Sequence, residues 1–121
     1  LSLDYPDFLI ASSEWFAFVP AKEYFDEPGD HADELETSVM MHYHPELVNL
    51  DEAGNGDYKK FTSQMLNEKV AWIPRNWQKV SQDTGIGNPK KASAGKGKKY
   101  AEAVVAKYAL LFEELVHKEL Y

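Results

Sequence analysis

The chain has no cysteine. Disulfides and thiolate-bound metals are excluded, and the redox compartment is left undetermined. Long apolar runs are missing too: no stretch approaches the roughly 20 residues of a membrane-spanning helix, and no secretory signal pattern is recognisable. Positive charge is scarce. Thirteen Lys and Arg stand against twenty Asp and Glu, a net charge of −7, which argues against a dedicated binder of nucleic acid or of anionic membrane. These absences point to the cytoplasm. At 121 residues the chain is one domain at most, with a core of modest size.

What the sequence does contain is concentrated in one place. Asp30-His31-Ala32-Asp33-Glu34-Leu35-Glu36-Thr37-Ser38 holds four carboxylates, a histidine and two hydroxyls, and Val39-Met40-Met41 follows at once. This order reads as a helix start whose first turns carry chemistry and whose later turns enter a core. Asp30 is the expected N-cap, accepting from a free backbone N–H near Asp33. Asp33, Glu34 and Glu36 then sit at the positive end of the helix dipole, and Pro45 ends the helix near His44. The helical neighbours of Glu36 are Ala32, Val39, Met40 and Tyr43, so its carboxylate is expected to face the core, with Asp33 and Thr37 on the more polar side. A buried carboxylate needs a partner, hydrogen bonds or a metal. A basic partner, or a place at the edge of the apolar stripe, is the plainer alternative.

Around this stretch the reading is mixed. Phe8-Leu9-Ile10-Ala11 is apolar without alternation, which suits a parallel strand covered on both faces. Trp15-Phe16-Ala17-Phe18-Val19 is a second strand, a pocket wall or plain core packing. Ala21 to Asp26 is a short helical turn, Tyr58 to Asn67 is helical, and Val70-Ala71-Trp72-Ile73 is a strand stopped by Pro74. The Asp51–Asp57 loop is not an EF-hand, because Ala53 and Thr62 occupy ligand positions. The loop Asp83-Thr84-Gly85-Ile86-Gly87-Asn88-Pro89 lacks the order of a P-loop or a dinucleotide loop; its backbone amides can still approach a ligand closely, and a tight structural turn is the plainer reading. Ser93 caps a final helix from Ala94 to about Glu119, with Tyr100, Val104, Tyr108, Leu111, Phe112, Leu115 and Val116 at helical spacing. The lysines from Lys90 to Lys99 crowd its first turn against the dipole, which points to an acidic neighbour or ligand unless they form a solvated patch. An acidic-ligand binder using that cluster is the weakest functional reading.

His42 and His44 are two apart and diverge on a helix, so they are poor joint metal ligands. His31 and Glu36 are the more useful pair. A histidine just ahead of a helix and a carboxylate one turn into it can face one cleft, suiting acid–base work and a hard or borderline metal. Two such groups do not complete a metal site.

The residues His31-Ala32-Asp33-Glu34-Leu35-Glu36-Thr37-Ser38-Val39-Met40-Met41, then Pro45-Glu46-Leu47-Val48, then Thr84-Gly85-Ile86-Gly87-Asn88-Pro89 with Ala92-Ser93-Ala94-Gly95-Lys96-Gly97, resemble the creatininase (creatinine amidohydrolase) family, in the same order over most of the chain. Two positions depart from the family pattern. Asp33 replaces a usual Gly, which is expected to crowd the mouth of the site, and Gly95 replaces a usual Glu.

The resemblance implies an α/β fold, a three-layer α/β/α sandwich with a mostly parallel sheet. It also implies a binuclear centre of zinc or manganese and hydrolysis of an amide-type C–N bond in a small, often cyclic, substrate. By this match His31 is the catalytic histidine and Glu36 the active-site carboxylate that faces the metal. Trp15 and Asp30 are the substrate-contact candidates, and the Asp83–Asn88 loop is a further wall. The family's other metal ligands come from an N-terminal half that this sequence does not match, so residues 1–121 are expected to be the C-terminal portion of a single creatininase-like domain. The absence of an initiator Met fits a fragment or a processed chain. The implied partners are a small-molecule substrate, the missing half, and further copies in a ring-like homo-oligomer, a hexamer by family analogy. The alternative is a non-catalytic binding or interaction module of the same fold, motivated by Asp33 and the missing ligands.

Overall fold

The computed structural model describes residues 3–117 and residue 119. Two helices dominate it: α1 (Glu34–Tyr43) and α4 (Ala94–His117). Two four-residue helices, α2 (Gln64–Asn67) and α3 (Trp77–Val80), and single 3₁₀ turns at Trp15–Ala17, Ala21–Glu23, Pro45–Leu47 and Pro89–Lys91 complete the described elements.

The expected parallel sheet is not there. Among the described residues β pairing is confined to one antiparallel bridge between His31 and Ile86, and the fold is helical with long irregular connections. The reason lies in the two runs read as strands. Phe8, Leu9 and Ile10 are exposed, as are Val70, Trp72 and Ile73. Apolar content makes a run compatible with a buried strand, but only ladder partners and cover on its faces make it one. The expected long helix over 58–67 shrinks to Gln64–Asn67, and Trp15–Ala17 forms a 3₁₀ turn instead of a strand.

α4 follows its periodicity. Ser93 accepts from the Lys96 N–H at 3.3 Å, as a cap should. Gly97, Tyr100, Ala101 and Val104 form the buried stripe. The helix is described through His117, and Glu119, its expected end, is not helical; Lys118 between them, placed on its wet face by the sequence, lies outside the described residues. α1 ends at Tyr43, with His44 its C-cap ahead of Pro45, as expected.

The core is built on the contact of α1 with α4. Leu35, Tyr100 and Val104 meet Val19 and Phe25, with Trp15, Phe18, Tyr24, Val39 and Tyr108 packed around them. Tyr100 is fully buried, its ring centroid 5.2 Å from Phe25, 5.3 Å from Tyr24 and 6.1 Å from Trp15. Its hydroxyl donates to the Phe16 carbonyl at 2.8 Å, a smaller tie added to the ring packing that holds the N-terminal turns on α4.

An ion cluster closes one side of this core. Glu34, wholly buried, accepts from Lys96 through one oxygen and from the Glu27 N–H at 2.6 Å through the other. Lys96 also reaches Asp26 at 2.7 Å, and Lys91 pairs with Glu27 at 2.8 Å. The basic first turn of α4 thus meets an acidic neighbour within the chain. Lys96→Met leaves a buried carboxylate without its cation, a strongly destabilising change. In thermal denaturation it is expected to lower Tm clearly more than Lys91→Met, and adding Glu34→Gln is expected to recover much of the loss.

These contacts also set the pH response. Burial pushes the Tyr100 phenol above its ordinary 10.0. Hydrogen bonds to Asp26 and Glu34 raise Lys96 above 10.5, and Glu27 does the same for Lys91. The folded chain holds these protons more tightly than the unfolded one. Their contribution is complete below about pH 10 and is lost as pH rises through the raised values. Lys96 holds Asp26 below its ordinary 3.8, and Lys91 holds Glu27 below 4.5. That contribution is present above the ordinary carboxylate range and is lost as pH falls through the lowered values. Tm measured against pH is expected to be flat from roughly pH 5 to pH 9 and to fall on both sides, with Tyr100→Phe blunting the alkaline fall.

Candidate active site

The dense stretch folds as a tight turn feeding α1. The N-cap is Asp33, not Asp30. Its Oδ1 accepts from the Glu36 N–H at 2.9 Å and its Oδ2 from the Gly29 N–H at 2.5 Å. Glu36 reaches back to accept from the Ala32 N–H at 2.7 Å, so Asp33 and Glu36 form a variant of the reciprocal capping box. The D-x-x-E spacing carried this signal. It also corrects the expectation for Asp33, which is 3% exposed and committed to the turn instead of crowding a mouth. Ala32 takes a left-handed φ of 48° to complete the turn.

The carboxylate that enters the core is Glu34. Glu36 stands at the edge of the packed face, its side chain 38% exposed. Its apolar neighbours misdirect the reading because Met40 and Tyr43 are themselves exposed. The face of α1 turned to α4 is the one bearing Glu34, Leu35 and Ser38.

His31 is fixed through its backbone. Its N–H donates to the Ile86 carbonyl at 3.1 Å and its carbonyl accepts from the Ile86 N–H at 2.8 Å. Its Nδ1 lies 3.8 Å from Glu36 Oε2, and its side chain is 45% exposed. The pair is within ion-pair reach, beyond hydrogen-bond length, and open to a ligand. The ring also meets Trp77 in a tilted contact, centroids 5.0 Å apart. Periodicity carries no signal for Trp77, which lies 46 positions downstream of His31.

The glycine loop lies alongside. Gly87 (φ 121°) and Gly56 (φ 74°) pass so close that a Cβ on Gly56 would fall 1.9 Å from the Gly87 carbonyl oxygen. With Ala32, Gly54, Asp83 and Gly85 they line a shallow cavity of about 240 Å³. Asp30 is bonded by Arg75 at 2.5 Å. Trp15 packs edge-on against Tyr100 and Phe16 in the aromatic core. Among the described residues no group of three or more His, Asp or Glu is placed to hold a metal ion, and no helix is long and apolar enough to cross a membrane.

Residues 6–112 match the model of the creatininase family, described as creatinine amidohydrolase. The chain belongs to the creatininase family. A crystal structure from Bacteroides fragilis, described as a "putative creatinine amidohydrolase", shares 58% sequence identity and superposes with a TM-score of 0.90 over 99% of this chain. The match covers 48% of that protein, so this chain spans about half the length of its relative. Comparison with curated proteins gives no match.

Proposed function

We propose that this chain carries the acid–base half of an amidohydrolase site, which cleaves an amide-type C–N bond of a small substrate by addition of water. The observation that carries the reading is the juxtaposition of His31 and Glu36, 3.8 Å apart at the open end of α1 in a chain of the creatininase family. His31 takes the proton from the attacking water and returns it to the leaving nitrogen. Glu36, its carboxylate steadied by the Ala32 N–H, stabilises the imidazolium between those two transfers. The glycine-lined cavity beside Ala32 offers a backbone wall for the substrate.

Zinc or manganese, which the family resemblance implies, would activate the water and polarise the carbonyl when bound. His31 and Glu36 supply two donors at most, short of the three or four protein ligands such a centre takes, so this chain by itself does not fit a complete metal centre. Within the same proposal, the other ligands come from a partner stretch equivalent to the rest of the relative, and the assembled protein is a homo-oligomer.

The test is Glu36→Gln in the full-length protein. Hydrolysis of small linear and cyclic amides is expected to fall in kcat by about 10²-fold or more, with Tm within a few degrees of the parent. Undiminished turnover would remove the assignment.

A further inference from the structure

The bridge to Ile86 fixes the backbone of His31 but leaves its ring free to turn, and that ring is nearly half exposed. At 3.8 Å, Glu36 does not hold it by a hydrogen bond. What lies against the ring is Trp77, centroids 5.0 Å apart and tilted at 47°. Trp77 opens a four-residue helix and is itself 36% exposed, so it needs an anchor of its own. Arg75 supplies one. Its guanidinium lies 5.5 Å from the Trp77 ring centroid and bonds Asp30, the residue before His31, at 2.5 Å. Asp30, Arg75, Trp77 and His31 thereby close a loop of contacts, two on each strand of chain. Arg75 is the only arginine in the sequence, and its planar fork can bond a carboxylate and lie over a ring at once, which lysine does less well.

We infer that Arg75 and Trp77 are positioning residues for His31: they clamp the 30–31 turn and hold the imidazole plane so that its nitrogens face Glu36 and the substrate. The inference rests on the hydrolase reading for its consequence, and on geometry alone for the clamp. Asp30 serves this clamp instead of the substrate.

The experiment uses the full-length protein with Trp77→Leu, Trp77→Phe and Arg75→Lys. Two readouts are followed: the His31 ring C–H resonances by NMR, and kcat against KM on a small amide substrate. An indole 5.0 Å from the imidazole displaces those resonances by its ring current. Trp77→Leu is expected to move them to the position of exposed His44 and to lower kcat roughly tenfold to a hundredfold, with KM changed less than twofold. Trp77→Phe is expected to restore part of both, and Arg75→Lys to fall between parent and Trp77→Leu. Unmoved resonances in Trp77→Leu, or moved resonances with unchanged kcat, would overturn the inference. A parent protein without amidohydrolase activity whose His31 resonances still move would instead overturn the hydrolase reading, and the positioning role with it, leaving only the ring contact.

Discussion

Gly97→Ala will unfold or severely destabilise this protein. Gly97 lies where α4 passes close against the backbone of α1, and a Cβ there would lie 1.9 Å from the Ser38 carbonyl oxygen, 2.3 Å from its carbon and 2.7 Å from the Val39 nitrogen. All three are backbone atoms, so no side chain can rotate aside. The helices must part by more than an ångström. That strains the Ser93 N–H to Ser38 Oγ bond of 3.1 Å, the Glu34–Lys96 pair and the packing of Leu35 against Tyr100 and Val104. Overpacking of ordinary cores costs about 1–3 kcal/mol, and a clash with rigid backbone belongs at or above the top of that range. The intrinsic helical gain of Ala over Gly, about 1 kcal/mol, does not offset it. Against a domain stability of about 5–15 kcal/mol, a Tm loss of roughly 10 °C or more is expected. Gly95→Ala is the control. Nothing lies within 4 Å of a Cβ there, so the same substitution two residues earlier should stabilise slightly. A common sign for the two would contradict the packing described.

Tyr100→Ala should rank beside it. The side chain is wholly buried among Phe25, Tyr24 and Trp15, and emptying a site of this kind costs about 3–5 kcal/mol. Tyr100→Phe keeps the ring and loses the bonds to the Phe16 and Val19 carbonyls, a loss of about 1 kcal/mol. Chemical denaturation that gives equal losses for the two variants would show that the hydroxyl, not the aromatic cluster, ties the N-terminal turns to α4.

The elements legible in the sequence were those specified by local rules. α4 declares itself through a stripe at 3.6-residue spacing and a serine cap, and α1 through its carboxylate-rich start and Pro45. Strands are specified by neighbours, and Phe8–Ile10 and Val70–Ile73 find none among the described residues, so their apolar character was no guide to a sheet. Within the site, the pairing of His31 with Glu36 was legible because both lie on one turn of chain. The identity of the buried carboxylate was not. The cap at Asp33 in place of Asp30 sets where α1 begins, and the exposure of Met40 and Tyr43 removes the reason to turn Glu36 inward. The contribution of Arg75 and Trp77 to the His31 surroundings depends on a long-range contact that no periodicity encodes.

The most direct test of the central claim, that His31 and Glu36 act as one reacting unit, is a double-mutant cycle on amide hydrolysis by the full-length protein. His31→Asn, Glu36→Gln and the double variant are compared by kcat. Each single change is expected to cost about 10²-fold or more, and the double variant no more than the worse single one, because groups that act together are lost together. Fully multiplicative losses, or turnover that survives either substitution, would contradict the account.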